Sequence, residues 1–350
     1  MIHLDSSQFS QKYKDAFYLK VSKNIKYYIE KFIGGTCYTC KGTKVKIDGD
    51  KEVEDCLNRI VEEAYLKKII LGPPSELRKV ITDMPPNSFL NSSKLNLILY
   101  KIFVDGVYEG KTLKSTYTQK AYVKTSCIDK IKHIKQLKQR TCPYCNRNYI
   151  FSIEIDRGKA NPVIAKPQLD HFYPKSSYPF LGASLYNLIP SCSFCNGLEV
   201  KGEISPINNN NEPKVSEIIM NPFEFDNSKF KFSYNLKNID TLSIDENDVD
   251  IVVDGEKKYI DGYQHILGTV SLYEGHKDVI VEMIKKYALQ YPESNQDFLN
   301  NLLSDNKKVV NNEEINKIFW GFENVENRYH LKSFSKFMND IYASIMDDKK

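Results

Sequence analysis

Several features that would assign a class directly are missing. The chain has no run of about 18 apolar residues, so no membrane span and no membrane partner are expected. Met1 to Lys14 carries no apolar h-region, so no secretory leader is expected and the chain is placed in the cytoplasm. No GxxxxGK[ST] loop occurs, which argues against an ATPase activity of its own. No internal repeat is found. Neither sign of charge dominates: 49 Lys and Arg face 45 Asp and Glu, for a net charge of +4 and a pI near 8.4. Any electrostatic hold on phosphate must therefore come from local patches. Tryptophan occurs once, at Trp320 in IFWGF, where a core or interface role is expected rather than base stacking.

What is present describes a folded protein. Hydrophobic residues make up 41% of the chain and charged residues 27%, with 23 Tyr and 18 Phe, a composition opposed to disorder. A length of 350 residues suggests two or three units, since domains run to about 100–200 residues. Residues 1–135 read as mostly helical. Val53, Leu57, Ile60, Val61, Ala64 and Leu66 follow an amphipathic helical spacing, and residues 97–108 fit helix or strand. Ile128, Ile131, Ile134 and Leu137 form one apolar stripe on a Lys-rich helix that runs into Cys142. Residues 149–155 alternate like a strand, with 162–170 as a hairpin partner ending on Asp170. The Asn- and Pro-containing stretch Ile204 to Lys214 reads as a linker. Beyond it, a strand is expected over 229–235, and helices over 275–290 and 333–346.

The strongest chemical signal lies in the eight cysteines. Cys142 and Cys145 form one C-x-x-C pair, and Cys192 and Cys195 form another. Two such pairs in a chain without a leader read as metal knuckles rather than a disulfide framework. Four thiolates suit a tetrahedral structural Zn²⁺. Residues 146 to 191 exceed the usual finger spacing, so something must fold between the pairs. Cys37 and Cys40 form a third pair, and Cys56, Cys127 or His133 could complete a second site with them. No second knuckle is evident, so ordinary cysteines or a partner interface are preferred.

Between the knuckles stands Asp170–His171, after a predicted strand. An imidazole can take a proton from water near neutral pH, and a carboxylate can bind a hard divalent cation. Adjacent strand residues point to opposite faces, so both can serve one site only where the strand distorts. Alone, the pair would read as a surface or capping feature. Asn196 directly follows the last knuckle cysteine, so its amide oxygen could be a second oxygen ligand. Asn187 precedes the apolar run into that knuckle. Each asparagine alone is more often a turn residue.

The order of these pieces, CPYC, then LDH, then YNLIPSC, then SFCN, resembles the HNH, or ββα-metal, endonucleases over about Cys142 to Gly202. The resemblance implies that Asp170 and Asn196 hold one Mg²⁺ or Mn²⁺ and that His171 is the general base. Asn187 would orient that base or brace the loop. The third signature position is often His, and Asn196 is a variant of it. The K-G step at Lys201 also lies farther from this asparagine than in related sequences. The expected fold is α+β: a zinc-clamped module (136–203) embedded between a mostly helical N-terminal region (1–135) and a mixed α/β C-terminal region (204–350). The expected activity is phosphodiester hydrolysis, with DNA favoured over RNA. A ribonuclease and a non-cleaving, zinc-stabilised binding or adaptor module are the alternatives.

Lys138, Arg140, Arg147, Lys175 and Lys201 are candidate phosphate contacts. A solvated helix face accounts equally well for the Lys-rich helix, which also carries Lys130, Lys132 and Lys135. His276 reads as a structural residue at a helix start. The segments YEGHKDVIVEMI and FWGFENVENRYHLKSFSKFMNDI are similar to tails of prokaryotic HNH proteins encoded beside AAA- or ABC-type ATPases, including Septu-like antiphage systems and the HNH effectors of some retrons. That similarity implies an ATPase partner and a defence role.

Overall fold

The computed structural model describes residues 1–84, 94–108, 126–156, 163–165, 167–207, 216–237, 243–290 and 320–347. It is a mixed α+β protein whose described strands form two-stranded antiparallel sheets. The chain divides into two compact units.

The first unit comprises Asp5–Lys138 and Ser152–Glu217. Its longest helix, α1 (Gln11–Ile33), starts where the Ser10 side chain accepts a hydrogen bond from Tyr13 N, which occupies one of the open donors of the first turn. Tyr13, Phe17, Val21, Ile25, Ile29 and Phe32 recur at helical spacing and are buried. A short hairpin follows, β1 (Tyr38–Cys40) with β2 (Thr43–Val45). The stretch from Val53 to Leu66 is two helices rather than one. α2 (Lys51–Val61) and α3 (Glu63–Leu71) are separated at Glu62, whose ψ of 125° is extended. α4 (Pro74–Asp83) carries proline in its first turn, where a missing N–H costs nothing.

The ambiguous residues 97–108 resolve as helix. α5 (Lys94–Tyr100) continues through a π-helical turn, Lys101–Asp105, and on to Tyr108. At Gly106 an added Cβ would lie 2.6 Å from the Tyr28 ring, so only glycine permits this approach. The Lys-rich stretch gives a shorter helix than its apolar spacing suggested, α6 (Lys130–Gln136). It is capped by Asp129 and ends before Lys138, which has a φ of +47°. Ile128, Ile134 and Leu137 are buried as expected, whereas Ile131 is only half-buried; His133 takes a core position beside them.

The expected hairpin forms in part. Ile153–Ile155 (β3) pairs with Val163–Ala165 (β4), and the strand bearing Asp170 is a separate element, β5 (Gln168–His171). β5 pairs with β6 (Leu188–Ser191), placing Asp170 opposite Ile189 and His171 opposite Leu188. After β6, residues 193–203 form consecutive turns.

The second unit comprises Met1–Leu4, Gln139–Phe151 and Ile218–Lys350. Its sheet pairs β7 (Phe230–Leu236) with β8 (Val249–Gly255). Phe230 and Phe232 alternate inward, as the sequence suggested. Helices α7 (Lys257–Leu267), α8 (Thr269–Glu274), α9 (Lys277–Gln290) and α10 (Ser335–Asp347) complete it. α10 lies against β7: the Phe232 and Phe337 rings are 5.0 Å apart, and Phe232 N donates to the Asp340 carboxylate at 3.0 Å. Trp320 is buried against Tyr342, with rings 5.2 Å apart. Among the described residues no helix is long and apolar enough to cross a membrane.

Candidate metal centre and adjoining cavity

Cys142, Cys145, Cys192 and Cys195 are all buried, and their sulfurs lie within 4.8 Å of one another. Among the described residues no other group of His, Cys, Asp and Glu converges in this way. Zn–S bonds of about 2.3 Å in a tetrahedron place sulfurs about 3.8 Å apart, a spacing that falls within this limit. Both C-x-x-C segments fold into the same turn: Asn146 N donates to Cys142 O at 2.7 Å, and Asn196 N to Cys192 O at 3.1 Å. Each turn also directs a main-chain N–H at a sulfur, Arg147 N at Cys145 Sγ and Cys195 N at Cys192 Sγ, both at 3.4 Å. Such donors stabilise thiolate charge, so the donor set fits a structural zinc ion.

The first turn depends on Asn146, which the sequence did not single out. Its φ of +50° lies in the left-handed region that asparagine tolerates. Its buried amide donates to Thr141 Oγ1 at 2.9 Å and Tyr329 O at 3.1 Å, and accepts from Lys336 N at 3.0 Å. The neighbouring Arg147 guanidinium donates to Leu272 O at 3.4 Å. Cys37 is exposed and Cys40 buried, and among the described residues they join no metal-ligating group. His133, considered as a partner for them, is engaged elsewhere. Its Nδ1 lies 3.2 Å from the Tyr13 hydroxyl and its Nε2 3.1 Å from Leu188 O.

Beside the second turn, the first unit holds a cavity of about 380 Å³ whose lining includes Asp170, His171, Asn196, Lys175, Lys130 and Tyr108. Asp170 is 3% exposed, and one carboxylate oxygen lies 2.9 Å from Lys201 Nζ. His171 is the last residue of β5, where the chain turns away. This strand end lets both residues line one cavity although neighbours alternate along a strand.

The His171 Nε2 faces two oxygens, Gly182 O at 3.0 Å and the Tyr108 hydroxyl at 3.2 Å. Tyr108 itself donates to Gly182 O at 2.9 Å. A carbonyl only accepts, so Nε2 carries the proton and Nδ1 keeps its lone pair. Among the described residues Nδ1 has no hydrogen-bond partner. Burial pushes the imidazole pKa down to about 4, against the opposing pull of Asp170. The ring is thus neutral at neutral pH.

Asn187 is fully buried and braces the loop that supplies Gly182. Its Oδ1 accepts from Tyr173 N at 2.7 Å, and its Nδ2 donates to Tyr173 O at 3.1 Å and Leu181 O at 2.9 Å. Of the two roles considered for it, these bonds are those of a loop brace, with His171 oriented through Gly182. Asn196 donates to Gln168 Oε1 at 2.7 Å, while its amide oxygen accepts no bond among the described residues. One carboxylate and one amide oxygen on a cavity wall are hard donors, which suits a Mg²⁺ or Mn²⁺ ion that keeps most of its water.

The basic residues fare differently. Lys175 and Lys130 line the cavity. Lys138 and Arg140 are exposed. Lys201, read from the sequence as a phosphate contact, is fully buried, and its ammonium is committed to Asp170 and, at 2.9 Å, to His171 O. Tyr108 was missed because it comes from α5 and its extension, far from the motif in sequence. Comparison with family models, curated proteins and solved structures gives no match.

Proposed function

We propose that this chain is a metal-dependent nuclease of the HNH type, hydrolysing phosphodiester bonds, with DNA the favoured substrate. The observation that carries the reading is the state of His171: Nε2 is held by Gly182 O, the ring is neutral, and Nδ1 has no hydrogen-bond partner among the described residues, on the wall of a cavity shared with Asp170 and Asn196. A neutral imidazole with one nitrogen committed and one available is arranged to accept a proton from a water molecule. Asp170 and Asn196 would hold the divalent cation; when bound, it supplies Lewis-acid polarisation of the scissile phosphate. Lys175 and Lys130 would attract the phosphate backbone. The four cysteines would hold a Zn²⁺ that keeps both turns in place without entering the reaction.

The resemblance of the C-terminal segments supports a wider role as a cytoplasmic antiphage effector restrained by an AAA- or ABC-type ATPase. Parallel digestion of DNA and RNA panels, by wild type and Asp170→Asn in Mg²⁺ or Mn²⁺, tests the reaction and its substrate. Metal-dependent DNA cleavage lost in the variant supports the reading. Cleavage of RNA alone would reassign the substrate, and cleavage unaffected by the substitution would reject the site.

A further inference from the structure

Lys201 is the one lysine of this site with no solvent exposure, and its position is fixed from three sides. Its ammonium lies 2.9 Å from Asp170 Oδ2 and donates to His171 O at 2.9 Å. Its main-chain N–H donates to Cys195 O at 3.2 Å, which ties it to the second cysteine turn. A side chain in this position cannot also meet a phosphate in the cavity. Its stem is fully buried, and its charge rests on the carboxylate assigned to the metal.

We propose that Lys201 is a positioning residue and the resident counter-ion of Asp170, and that it sets the affinity of the site for its divalent cation. This rests on the nuclease-site reading. A negative charge on a carboxylate that is 3% exposed is costly in the interior unless it is paired. Lys201 supplies the pairing charge while the cation is absent. The ammonium also anchors the carbonyl of His171, so the consecutive residues Asp170 and His171 share one brace although they lie on opposite strand faces. A divalent cation arriving at Asp170 must share the carboxylate with this ammonium, and two cations on one carboxylate repel each other. The lysine therefore holds the site in its binding geometry and weakens cation binding.

The test is Mn²⁺ binding to the zinc-loaded full chain, measured by electron paramagnetic resonance, which needs no catalytic activity. Lys201→Met keeps the length of the stem and removes the charge. Lys201→Gln keeps hydrogen-bond donors without charge and serves if the methionine variant fails to fold. Lys201→Arg keeps both charge and donors. The neutral variants are expected to bind Mn²⁺ about tenfold more tightly than wild type or better, since a like charge is removed from the ligand. The arginine variant should remain near wild type, and Asp170→Asn should bind no Mn²⁺ at the site. Binding by a folded neutral variant that is equal to or weaker than wild type would overturn the proposal while leaving the metal-site reading intact. Absence of Mn²⁺ binding in wild type and in every variant would overturn both. Binding in the neutral variants alone would show Lys201 in full competition with the cation and supports the proposal.

Discussion

The side chain of Asn187 is bonded to both main-chain groups of one residue, Tyr173: Oδ1 accepts from its N–H at 2.7 Å, and Nδ2 donates to its carbonyl at 3.1 Å. A third bond, to Leu181 O, closes the loop that brings Gly182 to His171. Asn187→Asp keeps the shape and turns two donations into contacts between oxygens. Leaving buried main-chain groups unpaired costs about 1–3 kcal/mol each, so a loss of about 2–6 kcal/mol is expected for the two carbonyls. Urea unfolding measures it, and a loss under about 1 kcal/mol would mean that the loop is held by other contacts.

The four cysteines give a prediction of composition. Purified protein should carry one Zn²⁺ for this site, and Cys192→Ser should lose it. Structural zinc contributes directly to folding, so chelation should also lower the unfolding temperature. Elemental analysis of the native protein checks the first point. Protein that is folded, unoxidised and free of zinc would refute the four-thiolate centre.

His133 predicts acid sensitivity. Burial lowers its pKa from 6.5 to about 4, and the neutral ring serves both the Tyr13 hydroxyl and Leu188 O. The unfolded chain takes up this proton more readily than the folded one, so stability is unaffected above about pH 6.5 and falls as pH drops toward 4. The slope approaches about 1.4 kcal/mol per pH unit for one histidine. Burial shifts His171 in the same direction. Unfolding measured between pH 7 and 4 should show this slope for wild type and a shallower one for His133→Gln. Equal slopes would mean that His133 is already free to titrate in the folded state.

Tyr108→Phe isolates the hydroxyl that reaches His171 and Gly182. The ring remains, and two neutral hydrogen-bond contacts of about 0.5–1.5 kcal/mol each are lost, one of them to the imidazole. If that bond orients the imidazole, kcat should fall by about three- to tenfold with KM little changed. An unchanged kcat would leave Gly182 O as the sole orienting group.

How much of this was legible in the sequence depended on the range of the interactions. The alternation of Phe230 and Phe232 identified a strand, because a sheet with one buried face writes its period into neighbouring residues. The two cysteine pairs were legible because a knuckle requires a short fixed spacing, and the structure brings all four sulfurs together. The partner of the Asp170 strand was not legible. The reading paired 162–170, which ends on Asp170, with 149–155; that pairing holds for Val163–Ala165 with Ile153–Ile155, whereas the partner of β5 is Leu188–Ser191, beyond the loop that Asn187 closes. The break at Glu62 was hidden because the apolar spacing continues across it into α3. Tyr108 and Lys201 could not be given their places from spacing. Each acts on β5 from elsewhere in the chain, and a buried lysine cannot be distinguished from an exposed one until its partner is known.

The most direct test of the central claim is cleavage of supercoiled plasmid by wild type and His171→Ala, with Mg²⁺ or Mn²⁺ and with EDTA. The account predicts nicking or linearisation by wild type that requires the divalent cation, is abolished by EDTA and is lost in the variant while its fold and zinc content are retained. Equal cleavage by both proteins, or cleavage by wild type that persists in EDTA, would contradict it.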